Sequence, residues 1–177
     1  IGQKDHVEVK GIVGDLDEYL VINNEDDFKK IKYFGYRKLG IVSQTTQQTD
    51  KVESLVEKIK ALDYVDDVSF VNTICQPTQD RQEAVHELSA QVDLMIVIGG
   101  FNSSNTKKLV HVCEEKGVKA RHIESFHQLN QEWFVGKKHV GITAGTSTPE
   151  KIINQVHSEI LKIAKEVEGL EKQVLQS

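Results

Sequence analysis

The sequence predicts an α/β fold made of two small domains, each a mainly parallel sheet covered by helices. Three observations predict it. Short β-type runs alternate with helical patterns along the whole chain, and that alternation builds parallel sheets with helical crossovers. Residues 50–62 place Val52, Leu55, Val56, Ile59 and Leu62 on one face at the 3.6-residue period, with Lys and Glu opposite. Leu94-Met95-Ile96-Val97-Ile98 is an unbroken apolar run, the pattern of a strand buried on both faces.

The first set of elements begins with a strand over 18–22 (EYLVI). Asn24 then caps a short acidic helix running to residue 32, with Glu25, Asp26 and Asp27 in its first turn, where the helix dipole favours anions. Residues 39–42 form the next strand, 50–62 the amphipathic helix and 68–71 a further short strand. In the second set, residues 78–91 form a helix with Ala84, Val85 and Leu88 inward, and the strand 94–98 follows. The helix 106–116 is stopped by Gly117. A strand over 118–123, a short helix over 125–132 and a strand over 139–143 come next. A long helix runs from Pro149 with Ile152, Ile153, Val156, Ile160, Ile163 and Val167 at the helical period. The expected domains are residues 1–73 and 74–177.

Composition narrows the function. A length of 177 residues supports one domain or two small ones. Twenty-two basic against 27 acidic residues give a net charge of −5, which argues against a nucleic-acid binder. The longest apolar run is far short of the ~20 residues a membrane helix needs. Residues 1–10 carry no apolar signal core, and two cysteines make no disulfide framework, so a cytoplasmic protein is expected. Two cysteines also cannot complete a metal or iron–sulfur site by themselves. The chain opens without Met on Ile1-Gly2, which reads as the tail of an interrupted strand and hence of a fragment.

Ligands of parallel α/β folds sit beyond the carboxyl ends of strands, at the N-termini of the following helices. Three such junctions carry hydroxyl and amide clusters: Ser43-Gln44-Thr45-Thr46-Gln47, Gly99-Gly100-Phe101-Asn102-Ser103-Ser104-Asn105-Thr106, and Ala144-Gly145-Thr146-Ser147-Thr148-Pro149-Glu150. Glycines let backbone N–H groups approach an anion, and a helix N-terminus has spare donors and a partial positive charge. Ordinary capping is the competing reading, with Ser147 and Glu150 at capping-box spacing. His6-Val7-Glu8, in a Gly-flanked loop, pairs an imidazole with a carboxylate that offers proton donation or a polar contact. The other histidines lack metal-ligand spacing and read as surface or boundary residues. Cys75 stands at a strand end ahead of a helix, where a dipole or a metal favours the thiolate. Cys113 lies inside a helix and reads as core.

Taken together, several stretches resemble one family, the 4-hydroxy-3-methylbut-2-enyl diphosphate reductase (LytB) family. They are His6-Val7-Glu8-Val9-Lys10-Gly11; Ser43-Gln44-Thr45-Thr46; Asn72-Thr73-Ile74-Cys75 with Arg81-Gln82-Glu83-Ala84-Val85; Gly99 through Thr106; Glu132-Trp133; and Gly141 through Pro149. The set runs in the family's order and spacing over nearly all of the chain. Where the family commonly has Pro between its His and Glu, this chain has Val7, and Lys10 replaces a frequent acid.

The resemblance implies a three-domain, pseudo-symmetric α/β fold around a 4Fe–4S cluster, of which this chain is the second and third domains. It implies Cys75 as one cluster ligand, with the other ligands and a missing N-terminal domain upstream. It implies Glu8 as the acid that protonates the leaving hydroxyl, with Thr45 beside it. It implies His6, Ser103, Asn105 and Ser147 on the substrate diphosphate, Ser104 adjacent, and Thr78 lining the cavity. The implied reaction is reductive dehydroxylation of the allylic diphosphate to isopentenyl and dimethylallyl diphosphate, with flavodoxin or ferredoxin as electron donor. The fragment alone is expected to be inactive. The rival reading is a non-redox α/β module that binds a phosphorylated small molecule.

Overall fold

The alternation read from the sequence becomes five strands and seven α-helices among the described residues. The computed structural model describes residues 1–175, with side chains through residue 167. The chain divides into two compact units, Ile1–Gln79 and Asp80–Ser177.

The first unit holds α1 (Val7–Val13), α2 (Glu25–Phe28), α3 (Ile31–Phe34), β1 (Lys38–Val42), α4 (Thr49–Lys60) and β2 (Asp67–Val71). Strands β1 and β2 pair in parallel, with Leu39 opposite Val68 and Ile41 opposite Phe70. The apolar stripe of α4 closes this sheet: Val52, Val56 and Ile59 are all within 2% of full burial. Each such side chain contributes roughly 1.5–3 kcal/mol of burial free energy. Ile59 packs with Ile22, Ile31, Leu39 and Val68, while Val52 and Val56 pack with Ile41, Phe70 and Ile74.

Three expectations for this unit are corrected. Residues 18–22 form no strand; the Gly2 N–H bonds to the Ile22 carbonyl at 3.0 Å, but no ladder develops. Their apolar alternation serves packing instead, with Leu20 and Ile22 in the core. The helix begun by Asn24 ends after one turn at Phe28, and α3 starts separately at Ile31. Asn24 does cap it, its Oδ1 accepting from the N–H groups of Asp26 and Asp27 at 3.0 and 2.9 Å. His6-Val7-Glu8 is not a loop but the start of α1, whose Gly11 lowers helix propensity and hides the period. Ile1 behaves as a strand residue: its amino group donates to the Val42 carbonyl at 2.6 Å, and the Gln44 N–H donates to the Ile1 carbonyl at 2.8 Å.

Helix α5 (Gln76–Ser89) leads from the first unit into the second, which continues with β3 (Leu94–Ile98), α6 (Ser104–Glu115), β4 (Ala120–Ile123), β5 (Val140–Ala144) and α7 (Glu150–Leu175). The sheet order is β4-β3-β5, all parallel. This central position explains the unbroken apolar run, because all five β3 residues are fully buried. Leu94, Ile96 and Ile98 face α7 through Val156, Ile160 and Ile163, whereas Met95 and Val97 face Leu109, Val112 and Cys113 of α6 and Val85 of α5. The expected helix over 125–132 is instead two single 3₁₀ turns, Phe126–Gln128 and Gln131–Trp133. Asn130 breaks the run by capping the second turn, accepting from the Glu132 N–H at 2.9 Å. Gly117, at φ +76°, ends α6 as the sequence predicts. Among the described residues no helix is long and apolar enough to cross a membrane.

Because β3 is flanked by strands that come later on both sides, the chain turns in opposite directions from its carboxyl end. That is where open parallel sheets leave a crevice for ligands. The N-termini of α6 and α7 both follow strands of this sheet.

Candidate functional site

In the first unit, helix α1 and two loops that are distant from it in sequence meet at Thr45. Its backbone N–H donates to Glu8 Oε1 at 2.7 Å, and its Oγ1 donates to Glu8 Oε2 at 3.1 Å, across 37 residues of chain. Its carbonyl accepts from the Cys75 N–H at 3.1 Å. The carboxylate of α1, the loop after β1 and the loop after β2 are thus tied at one residue. Glu8, Thr45 and Cys75 are all partly exposed.

The local reasons are legible in each segment. His6 caps α1, its Nδ1 accepting from the Glu8 N–H at 3.3 Å, and so sets Glu8 in the first helical turn. Thr73 laces the ends of β1 and β2: its Oγ1 accepts from the Ser43 N–H at 2.8 Å and also bonds the Ser43 carbonyl. Asn72 Oδ1 accepts from the Ile74 N–H at 3.0 Å and turns the chain toward Cys75. Cys75 Sγ lies 3.0 Å from Thr78 Oγ1, and Thr78 is wholly buried.

Gln44 belongs to the cluster read from the sequence after β1, but the role it plays there was not legible. It is 1% exposed, and its Oε1 accepts from the Gln3 N–H at 3.1 Å, pinning the segment that leads to His6 and Glu8 against the loop of Thr45. Its Nε2 donates to Thr46 Oγ1 at 3.1 Å. The available signal was Gly2: a Cβ there would stand 2.8 Å from Val9 and 3.0 Å from Gln44, so the two segments must touch. An apolar cavity of about 300 Å³ beside β1, lined by Val9, Leu20, Ile22 and Ile31 among others, takes in none of the predicted site residues.

In the second unit, the predicted residues gather at two helix N-termini. Ser103 Oγ accepts from the Thr106 N–H at 3.2 Å and caps α6. Ser104 is half-buried. Asn105 is 4% exposed; its Nδ2 reaches Thr146 Oγ1 at 3.5 Å, and its Oδ1 is buried with no partner. Ser147 is exposed, and it is Thr148 whose hydroxyl ties the loop back, donating to the Ile98 carbonyl at 3.0 Å. The loops before α6 and α7 are packed together through Thr106, whose side chain fills the space a Cβ would need at both Gly99 and Gly145.

The two thiols differ in how they suit a 4Fe–4S cluster. Cys75 is partly exposed at the start of α5 and suits one ligand. Cys113 does not: it is fully buried, and desolvation pushes its thiol up to about 11. No group of three His, Cys, Asp or Glu among the described residues is placed to hold a metal ion. These residues therefore fit one ligand of a cluster and do not form a whole cluster site.

A family model described as LytB protein matches residues 1–161. The 4-hydroxy-3-methylbut-2-enyl diphosphate reductase of Geotalea uraniireducens is 42% identical over 167 residues, covering 94% of this chain and 58% of the relative. The same-named enzyme of Aquifex aeolicus is 40% identical over 169 residues, covering 93% and 57%. A solved E-1-hydroxy-2-methyl-but-2-enyl-4-diphosphate reductase from Plasmodium falciparum is 29% identical, with a TM-score of 0.79 over 89% of this chain and 50% of that one. A solved (E)-4-hydroxy-3-methyl-but-2-enyl diphosphate reductase, described as the terminal enzyme of the non-mevalonate pathway, is 41% identical with a TM-score of 0.51, covering 91% and 57%. The chain thus spans a little over half the length of the relatives it matches, and the match to the family model over residues 1–161 places it in the LytB family.

Proposed function

We propose that this chain is the part of a 4-hydroxy-3-methylbut-2-enyl diphosphate reductase that supplies a proton donor and the diphosphate-binding groups. The observation that carries the reading is the Glu8–Thr45 pair, in which both carboxylate oxygens are held by one residue at 2.7 and 3.1 Å. A side chain held that firmly can present a proton in a fixed direction. Thr45 is its orienting partner, and its hydroxyl can both donate and accept. In the overall reaction two electrons and two protons convert the allylic alcohol into isopentenyl or dimethylallyl diphosphate and water.

In this reading the diphosphate is bound by His6, Ser103, Asn105 and Ser147, with Ser104 adjacent and Thr78 lining the cavity. Asn105 offers the anion a donor in its Nδ2, which is held only by a long bond of 3.5 Å to Thr146 Oγ1. Residues 1–73 and 74–177 correspond to the second and third family domains. A 4Fe–4S cluster would supply the electrons; Cys75 would be one of its ligands, with the remaining cysteines and the first domain expected from the part of the family chain upstream of Ile1. Flavodoxin or ferredoxin would be the electron donor, in the cytoplasm.

Diphosphate binding and cluster assembly each test this reading. Inorganic diphosphate should bind the chain weakly, and Ser103→Ala and Ser147→Ala should each weaken it by roughly 0.5–1.5 kcal/mol, more if the bond is to a charged oxygen. Titration calorimetry giving unchanged affinity in both would return these serines to capping and loop roles. Only Ser103→Ala should also lower the melting temperature, because it alone removes a cap, worth ~0.5–2 kcal/mol. The second test concerns the cluster. Anaerobic reconstitution of the isolated chain should leave well under one equivalent of 4Fe–4S by iron and sulfide analysis. A near-stoichiometric cluster, unaffected by Cys113→Ser, would overturn the single-ligand assignment.

A further inference from the structure

The loop Gly99-Gly100-Phe101 leads directly into Ser103 and the first turn of α6, and two residues at the end of β4 grip it. His122 Nε2 lies 2.8 Å from the Gly99 carbonyl oxygen, to which it donates. The His122 ring also meets the Phe101 ring edge-on, with centroids 4.7 Å apart. Two residues on, just past the end of β4, Glu124 Oε1 accepts from the Phe101 N–H at 2.6 Å. The Glu124 backbone is itself fixed, since its N–H donates to Gln128 Oε1 at 2.6 Å. From Phe101 the chain closes a turn, the Ser103 N–H donating to the Gly100 carbonyl at 2.9 Å, and enters the helix.

This grip has an electrostatic cost. A carboxylate two residues from a site that binds an anion repels that anion. A neutral acceptor would give the same hydrogen bond without the repulsion. Glu124 therefore works against diphosphate through its charge and for it through the loop geometry, and the two contributions have opposite signs that substitutions can separate.

We propose that His122 and Glu124 are positioning residues for diphosphate binding at the N-terminus of α6, acting by clamping the Gly99–Phe101 loop so that Ser103 and Asn105 are held ready for the anion. The inference rests on the reading of that helix N-terminus as the diphosphate site. Neither residue touches the ligand in this account. Their contribution is to order the loop before binding, which lowers the entropy lost on association.

The test is calorimetric titration of the 177-residue chain with sodium diphosphate at low ionic strength. Glu124→Ala should weaken binding by about three- to tenfold, the scale of one lost hydrogen bond. Glu124→Gln keeps an acceptor oxygen and drops the charge, so it should bind at least as tightly as the parent. His122→Phe, which keeps a ring against Phe101 but removes the donor, should weaken binding about threefold, and it carries the test if Glu124→Ala does not fold. In parallel, hydrogen exchange at the Phe101 amide should quicken in Glu124→Ala and not in Glu124→Gln. Tightening in both Glu124 variants would mean that Glu124 acts only as a charge and would overturn the clamp. Equal weakening in both would overturn it too, since the acceptor would then be irrelevant. Parent binding that Ser103→Ala weakens and Glu124→Ala and His122→Phe leave alone would sink the clamp while sparing the site. A parent chain that binds no diphosphate would remove the site and the clamp together.

Discussion

Glu8→Gln in the full-length form of the proposed reductase is expected to slow turnover by about 10²–10⁴-fold, the usual worth of general acid assistance, with the substrate KM largely kept. Glutamine preserves the shape of the side chain and an acceptor for the Thr45 N–H, now 2.7 Å from Oε1. Thr45 Oγ1 can turn to accept from the new amide, so the local fold should hold. What is lost is the titratable proton. The diphosphate groups assigned to Ser103, Asn105 and Ser147 are other side chains, so ground-state binding should survive. Steady-state kinetics with an artificial reductant would check it. A variant that turns over normally removes Glu8 from the proton-donor role, and one that mainly loses binding makes it a positioning residue.

Gly99→Ala is expected to be among the most damaging single-methyl changes in the second unit. Gly99 sits at φ +154°, and a Cβ there would lie 2.5 Å from Thr106 Oγ1 and 3.0 Å from Thr148 Oγ1. Backbone strain of ~1–3 kcal/mol adds to overpacking of ~1–3 kcal/mol, giving a destabilisation of about 2–6 kcal/mol. Gly117 provides the comparison: it also has positive φ, at +76°, but no atom lies within 4 Å of its Cβ position. Gly117→Ala should therefore cost only the backbone part, about 1–2 kcal/mol. Urea denaturation of the two variants measures the difference, and equal losses would show that Thr106 yields freely. Adding Thr106→Ala to Gly99→Ala should recover part of the loss, because it removes the nearest obstructing atom.

Much of the secondary structure was legible because it rests on local periodicity. Helix α4 and strand β3 declare themselves through apolar spacing alone, and the structure buries Val52, Val56, Ile59 and all of β3 while leaving Leu55 and Leu62 half-buried. Helix α1 was not legible, since it is a single short element with Gly11 inside it. The strand expected over 18–22 failed for a different reason. Apolar alternation says which side chains are buried, but a strand also needs a partner with matching free N–H and carbonyl groups, which here is a single hydrogen bond from Gly2.

The candidate residues follow the same division. From the sequence by itself come the α/β class, the hydroxyl-rich helix starts, the thiol of Cys75 and, by resemblance, the set to which they belong; these are properties of short segments and their order. Only the tertiary structure decided that Glu8 and Thr45 share two hydrogen bonds, that Gln44 pins the two loops, and that Thr106 fills the space between Gly99 and Gly145. Those contacts join segments about 40 residues apart. Whether two such segments meet depends on strand order and on how helices pack over the sheet, which no local pattern of residues encodes.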